Sequence, residues 1–575
     1  MWLKNKSQNW RYWIGFFALL VIWSGITARL VYLQIQKGEF YKALAKGQQE
    51  IIKEVIGERG KIYLHDKENI ILAATNKKEP FCYLSLKAIK NKEEIAQKLS
   101  SVLSIPKTEI LNKIENNESY FLVVKRNLKP EEVKKLQDLN IEGLYLDYEE
   151  KRFYPLEQVG SDVLGFVNAQ GKGNYGIEGY FDALLSGKEK LIKEKYNFFG
   201  RIAEINSEEL KGSDIILSID KSIQEFSEKL LEDASKDLDI FSGQIIVVNP
   251  KTGKILAMAD WPLFNPNQYK DYANDPAIFL NTTVQALYEP GSTFKPITMS
   301  AAINEGKVKP DTTYEDKGYV KIGGRTIYNY NQRVWGKRTM KQVLQYSINT
   351  GAVFAEKQLG HELFLKYLDR FGFFEKTGIE LEGEIFSTNQ ELKKGYEINF
   401  ATAAFGQGIE LTPLGLLRAY TALANNGNLM KLSIVDRIIE EDGEKVIEPK
   451  IEKRKIISEE TAKEITKMLV SVVEEGYGKR ARIDGYYIAG KTGTSQIPFA
   501  SLGINKKGYS DKTWQSFVGY FPAFNPQILI LVKLDNPKTK TAEYSACPIF
   551  RKLAQYIINY YKIPPDYSLE EKTAP

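Results

Sequence analysis

Histidine and cysteine are nearly absent from this 575-residue chain, at two residues each, and both shortages exclude whole classes of chemistry. His65 and His361 stand far apart, so neither a clustered zinc site nor a Ser-His-Asp triad can be assembled. Any serine chemistry therefore needs another base. Cys82 and Cys547 are separated by most of the chain, which argues against a disulfide framework and leaves two thiols that read as buried and inert. Dense blocks of one charge are missing too. Lysine and arginine number 79 against 73 acidic residues, a net charge of +6 spread along the chain, which gives nucleic-acid binding little support. A mild basic excess suits an anionic envelope or membrane surface. There is no internal repeat and no low-complexity linker.

Only one long apolar run is present. Tyr12 to Ala28 is uncharged over 17 residues, rich in Phe, Leu, Ile and Trp, and continues past Arg29 as Leu30 to Leu33. That is near the lower limit for a membrane-spanning helix. Lys4, Lys6 and Arg11 precede it without an acidic residue, which favours a cytoplasmic tail at 1–11 and an exported remainder. The asymmetry is modest, since Lys37, Lys42 and Lys46 follow. A cleaved signal peptide is the alternative, but the run is long for one and no A-x-A site follows. The expectation is a single-pass anchor at 12–33 in the cytoplasmic (inner) membrane, with the bulk of the chain outside.

The remaining composition, 43% hydrophobic and 26% charged overall, is that of aqueous globular domains, and the length implies two or three of them. Residues 45–212 mix β-branched runs such as Ile51 to Ile56 with lysine-rich helical stretches such as Ile89 to Leu103, the texture of an elongated α+β module. Near Leu217 to Asp220 the texture changes, a helical stretch follows to about Ala234, and a second domain is expected over 213–562. There Gly243 to Val248 reads as a buried strand, and Asn249 to Gly253 turns the chain back into Ile255 to Met258 as a hairpin. Thr461 to Glu475 has helical spacing, while Trp514 to Pro522 and Gln527 to Asp535 read as successive strands, so this domain is mixed α/β. Residues 563–575, with Pro564 and Pro565, lack periodicity and read as a disordered tail.

Three short segments carry chemistry. In Glu289-Pro290-Gly291-Ser292-Thr293-Phe294-Lys295, a turn leads into a helix start. A spacing of three residues puts Lys295 on the face of Ser292, so the amine can reach the hydroxyl. A hydroxyl needs a neighbouring base, and a desolvated lysine can serve as one. Ser347-Ile348-Asn349 follows a helical run from Met340. Lys491-Thr492-Gly493-Thr494 lies on or beside a strand. Each alone is an ordinary cap, turn or strand segment.

In this order the three resemble the active-site set of penicillin-binding proteins and class A β-lactamases. Gly253 to Met258, Pro262 to Asn267 and Phe405-Gly406-Gln407-Gly408 extend the resemblance. Arg59-Gly60-Lys61-Ile62, Arg152-Phe153-Tyr154-Pro155 and Gly176-Ile177-Glu178-Gly179 are similar to the pedestal of class B penicillin-binding proteins. The similarity covers most of residues 50–560. One departure stands out, since that family's Arg-Gly-x-Ile-x-Asp would put an acid where Leu64 stands, and Asp66 comes two residues later.

The resemblance implies a membrane helix, an α+β pedestal and a C-terminal mixed α/β transpeptidase domain of the serine β-lactamase type. It implies a D,D-transpeptidase that cross-links peptidoglycan stem peptides ending in D-Ala-D-Ala, with β-lactams as mimics and no cofactor or metal. Ser292 would be the nucleophile, Lys295 its base and Ser347 the relay to the leaving nitrogen. Lys491 would face the substrate carboxylate, with Asn349, Thr492, Gly493 and Thr494 binding substrate. A SEDS-family glycan polymerase and other divisome or elongasome membrane proteins are the implied partners. Within the class, Ser347 to Gly351 and the lack of extra C-terminal modules favour a septal role over an elongation role. The alternatives are a D,D-carboxypeptidase, a β-lactamase, against which the pedestal counts, and an inactive scaffold or β-lactam sensor.

Overall fold

A computed structural model describes residues 9–37, 50–117, 119–187, 189–197, 200–201, 210–440, 446–447 and 450–567. The chain divides into two compact units, residues 1–58 with 187–212, and residues 59–186 with 213–575.

In the first unit, a helix over Asn9–Val31 runs on as a π-helical turn over Tyr32–Gln36. Tyr12–Ile35 is long and apolar enough to cross a membrane, and none of its most apolar stretch is buried in protein. Glu50–Ile56 pairs antiparallel with Glu189–Asn197, which pairs with Gly200–Arg201.

In the second unit, the arrangement of layers follows from alternation along Gly243–Val248 (β1). All six of its residues are buried. Ile245 and Val247 enter one apolar cluster, Ile246 and Val248 the other. A strand buried on both faces must be internal to its sheet, and β1 lies between Ile255–Trp261 (β2) and Ile528–Asp535 (β5). Ala489–Pro498 (β3) and Tyr509–Phe521 (β4) complete an antiparallel sheet of order β2-β1-β5-β4-β3.

Helices Lys221–Leu238 (α1), Lys295–Asn304 (α2), Asn349–Leu359 (α3), Pro413–Ala424 (α4), Glu459–Glu474 (α5) and Ala546–Tyr561 (α6) cover the two faces. Ile223 and Leu231 of α1 and Phe550, Leu553 and Ile557 of α6 fill one cluster. Ile297 of α2, Leu416 of α4 and Ile465 and Leu469 of α5 fill the other. α1 starts where the Asp220 carboxylate accepts the N–H groups of Ser222 and Ile223, a cap typically worth about 1 kcal/mol. β3 ends the sheet, and it runs beside the turn Gly291–Phe294 that leads into α2.

A second sheet has the order Val446–Ile447, Val435–Ile439, Asp214–Asp220, Ile62–Asp66, Asn69–Ser85, Phe121–Lys125, with Leu144–Phe153 also on Asn69–Ser85. The 17-residue strand Asn69–Ser85 carries Cys82 and Leu84 into a separate small core with Ile95, Leu99 and Ile110 from the helices Lys92–Leu103 and Lys107–Glu115. Leu64 is buried in the main core, whereas Asp66 accepts from Ser222 Oγ and Tyr560 OH, both at 2.8 Å. The displaced acid thus ties the strand to α1 and α6. Both cysteines are buried and free, and burial pushes the Cys82 thiol up to about 11.

The expectation of disorder from Ile563 onward is corrected for its first residues. Ile563 is buried, its carbonyl accepts from Tyr486 OH, and the Asp566 carboxylate accepts the Tyr487 N–H at 2.7 Å. Tyr567 packs on the Tyr487 ring. Two prolines stop the helix without stopping the packing, because their neighbours find donors and an aromatic surface. Residues 568–575 lie outside the described residues.

Candidate active site

Ser292 sits half-buried in a 3-10 turn over Gly291–Phe294 that runs directly into α2 at Lys295. The turn forms because Gly291 takes a positive φ of 57° and is packed against Gly406, whose φ is 81°. A Cβ at 406 would lie 2.2 Å from the Gly291 carbonyl oxygen, so only glycine permits this approach.

Lys295 is 1% exposed, and its Nζ lies 3.0 Å from Ser292 Oγ. The same amine donates to the Ser347 carbonyl at 2.6 Å and to Asn349 Oδ1 at 2.8 Å, and lies 3.1 Å from Ser347 Oγ. Ser347 can offer both its oxygens because it leaves the short helix Met340–Gln345 with a left-handed φ of 55°, a strain of roughly 1 kcal/mol for a non-glycine residue. Lys491 Nζ reaches the same Ser347 Oγ from β3 at 3.0 Å and also donates to the Thr492 carbonyl. Two buried amines therefore share one hydroxyl.

Among the described residues neither amine has a carboxylate within ion-pair distance. Burial, with the Lys491 charge second, pulls the Lys295 amine well below the ordinary lysine range. Burial pulls Lys491 down to about 7. Charged ammonium groups are disfavoured where water is excluded and no anion compensates. A neutral Lys295 within reach of Ser292 Oγ is a proton acceptor in position for a nucleophilic hydroxyl.

The remaining residues singled out from the sequence lie on the same wall. Thr492 is 8% exposed, with its hydroxyl 3.4 Å from Lys491 Nζ. Thr494 Oγ1 accepts the Ala542 N–H at 3.2 Å, leaving its own O–H to donate. Gly493 has no room for a side chain, since a Cβ would meet Ser516 Oγ at 2.6 Å and the Pro290 carbonyl at 2.9 Å. Ser292, Lys295, Ser347, Asn349, Lys491 and Thr492 are thus joined through the two amines in the cleft between β3 and the 347–349 turn, and Gly493 and Thr494 continue β3 beside them. The two histidines are elsewhere, His65 beside Asp436 and His361 beside Glu356. Among the described residues no group of three or more His, Cys, Asp or Glu could hold a metal ion.

Two features escaped the sequence reading. Glu289, three residues before Ser292, is buried and accepts from the Gly408 N–H and from Tyr509 OH, each at 3.0 Å. Burial raises its carboxyl to about 7. Its position next to Pro290-Gly291-Ser292 was the available signal. The second is a knot around Asp316, whose carboxylate accepts from Gly318 N–H, Asn329 Nδ2, Trp335 N–H and Thr350 Oγ1. No short motif connects these four, so no local pattern announces them. Through Asn349 Nδ2, which donates to the Tyr328 carbonyl at 3.1 Å, the knot's hairpin borders the cleft.

Residues 243–555 match the family model for the penicillin binding protein transpeptidase domain, and residues 54–217 that for the penicillin-binding protein dimerisation domain. The chain is 32% identical over 530 residues to stage V sporulation protein D of Bacillus subtilis, covering 90% of this chain and 80% of that one. It is 30% identical over 576 residues to a probable peptidoglycan D,D-transpeptidase of Pseudomonas aeruginosa, covering 98% and 97%. Among solved structures, penicillin binding protein 2X from Streptococcus thermophilus shares the fold with a TM-score of 0.72 at 24% identity, over 91% of this chain and 82% of that one.

Proposed function

Because the chain belongs to the penicillin-binding protein transpeptidase family, as a class B member with a dimerisation domain ahead of its transpeptidase domain, we propose that Ser292 is its acylated nucleophile. The protein is a peptidoglycan D,D-transpeptidase. The observation that carries the residue assignment is Lys295, buried without a counter-ion and 3.0 Å from Ser292 Oγ.

Ser292 Oγ attacks the penultimate D-Ala carbonyl carbon while its proton passes to Lys295 Nζ. The carbonyl oxygen takes the negative charge against the backbone N–H groups of Ser292 and Thr494, each such donor being worth about 3 kcal/mol in related acyl transfers. The C–N bond to the terminal D-Ala breaks, and its nitrogen receives a proton through Ser347, which both amines touch. Asn349 holds Lys295 and the acyl side of the substrate, while Lys491, Thr492 and Thr494 face its terminal carboxylate. Gly493 keeps the β3 edge flat enough for an extended peptide to add as a strand. An amine of a second stem peptide then attacks the ester carbonyl, and the proton it loses restores the Ser292 hydroxyl. β-Lactams present the same carbonyl and carboxylate and are held as acyl-enzymes. The domain limits that go with this reading are a pedestal over 45–212 and a transpeptidase domain over 213–562.

On this reading the enzyme is a single-pass protein of the cytoplasmic membrane, N-terminus inside, supported by the apolar length of Tyr12–Ile35 and the basic residues ahead of it, and its partner there is a SEDS-family glycan polymerase. Within the class a septal role is favoured by Ser347 to Gly351. Depletion should then give filaments with blocked septa, while swollen round cells would point to elongation.

The first test is peptide mass spectrometry after incubation with benzylpenicillin. One adduct per chain on the peptide carrying Ser292, absent from Ser292→Ala, is the expected result. An adduct elsewhere, or none on folded protein, overturns the assignment. Supplying an acceptor amine then separates transpeptidation from hydrolysis.

A further inference from the structure

From Lys317 to Lys341 the sequence carries seven lysines and arginines and no aspartate or glutamate, in a chain whose charges otherwise nearly balance. The structure gathers this stretch at the cleft. Tyr319–Ile322 and Arg325–Tyr328 form a hairpin, and the chain returns through Gly336–Thr339 to pair with Thr313–Asp316. The Asp316 knot fixes its base to α3 through Thr350, and Asn349 fixes its rim through the Tyr328 carbonyl.

Lys317, Lys321, Arg325, Arg333 and Lys337 are exposed. Among the described residues, none of the five has a carboxylate within ion-pair distance. Arg333 differs from the others in being held. Its guanidinium lies 4.2 Å from the centre of the Trp335 ring, and Trp335 stacks on Tyr346 at 4.7 Å and 13°. Arg333 Nη1 donates to Tyr477 OH at 3.3 Å, and its carbonyl accepts from Asn329 Nδ2. Tyr346 immediately precedes Ser347. An arginine oriented by an aromatic face, with N–H groups still unused and no anion of its own, is preorganised for a planar anion.

We infer that Arg333, backed by the basic hairpin, is a subsite for a free carboxylate of a stem peptide, separate from the terminal carboxylate that Lys491 faces. The inference rests on the cleft assignment above. The alternative of a membrane phosphate is less favoured, because Arg333 is tied through Trp335 and Tyr346 to the segment that carries Ser347. Either the donor or the acceptor strand can bring the carboxylate.

The test uses the full chain in detergent, with Arg333→Ala and Arg333→Lys. Each is assayed with a stem pentapeptide bearing free side carboxylates and with the same peptide after those carboxylates are amidated. Benzylpenicillin acylation of Ser292 is the reference. The expected result for Arg333→Ala is a rise of about tenfold in KM for the carboxylate peptide relative to any change in penicillin acylation, with kcat changed much less. Arg333→Lys should recover part of the loss, and the amidated peptide should not distinguish the variants. An effect in the acylation step assigns the donor strand, and one seen only in aminolysis assigns the acceptor. Equal losses on both peptides, or none on either, overturn the subsite. So does a loss of binding to phosphatidylglycerol vesicles with peptide KM unchanged. Wild-type protein that takes no penicillin on Ser292 overturns the underlying cleft assignment instead.

Discussion

Arg59 and Arg152 in the dimerisation domain have largely buried side chains, as Lys295 and Lys491 have fully buried ones, yet the two pairs meet opposite surroundings. Glu178, with a fully buried side chain, accepts from Arg59 Nε at 2.7 Å and Arg152 Nε at 2.6 Å, and Asp182 accepts from Arg59 Nη1 at 2.7 Å. Burial works to lower the Arg59 pKa, but the Glu178 charge and the hydrogen bonds to Asp182 and Glu178 outweigh it and hold the guanidinium above its usual range. The cleft buries two amines with only hydroxyl, carbonyl and amide oxygens around them. Compensated burial preserves charge, and uncompensated burial removes it. The first arrangement makes a rigid joint, and the second makes a base.

The contrast breaks first at Lys295. Lys295→Ala should reduce the rate of penicillin acylation by about 10^3-fold or more, with a melting temperature nearer the wild type than that of Glu178→Ala. Stopped-flow acylation and calorimetry on the same preparations check both halves. A variant that acylates at wild-type speed would mean that another base serves Ser292.

Glu178→Ala is the converse. Leaving Arg152 without its carboxylate and Arg59 with Asp182 alone should cost about 3–5 kcal/mol of stability, read from urea unfolding, while the molecules that remain folded still acylate. If acylation per folded molecule falls as far as in Lys295→Ala, the two regions are not separable in the way proposed.

The third prediction concerns pH. Acylation by a carboxylate-bearing substrate requires Lys295 neutral and favours Lys491 charged, so the profile should be bell-shaped. Its acid limb belongs to the strongly lowered Lys295 and its alkaline limb lies near 7, where Lys491 loses its proton. Lys491→Arg keeps the charge and should move the alkaline limb upward. A limb that stays near 7 in that variant would assign it to another group.

A smaller effect is expected where α1 meets the dimerisation domain. Glu228 is buried, accepts from the Gly160 N–H at 2.8 Å, and burial raises its carboxyl to about 7 from an unperturbed 4.5. Between those values the unfolded chain has lost the proton and the folded protein keeps it. This group therefore contributes a loss of stability as pH rises from about 4.5 to about 7, level above that, of at most about 3 kcal/mol. Glu228→Gln should flatten that slope and raise the melting temperature at pH 8. An unchanged slope would show that the neighbouring carboxyls of Asp162 and Asp260, also raised by burial, set it.

Much of this was legible because the deciding interactions are local. The three-residue spacing of Ser292 and Lys295 fixes their shared face on any helix. The alternation in Gly243–Val248 and Ile255–Trp261 fixes a hairpin buried on both faces, and the apolar spacing of Glu459–Glu474 fixes the helix that covers one of them. Asn349 and Lys491 were found as members of an ordered set of motifs and not from their own neighbourhoods. Packing past Ile563 was not legible, since it depends on Tyr486 and Tyr487, some eighty residues away in sequence.

By itself, then, the sequence determined the residue types of the cleft, the Ser-Lys pairing, the apolar run near the N-terminus and the strand and helix periods, all of which are set within one turn or one strand. Only the tertiary structure decided that Ser347 Oγ lies between two amines, that neither amine has a carboxylate among the described residues, and that Asp316 gathers donors from Gly318 to Thr350 to hold a basic hairpin at the rim. Desolvation and the presence of a counter-charge depend on what the whole chain brings to one point. No period or spacing encodes that sum, and it is what lets a lysine act as a base.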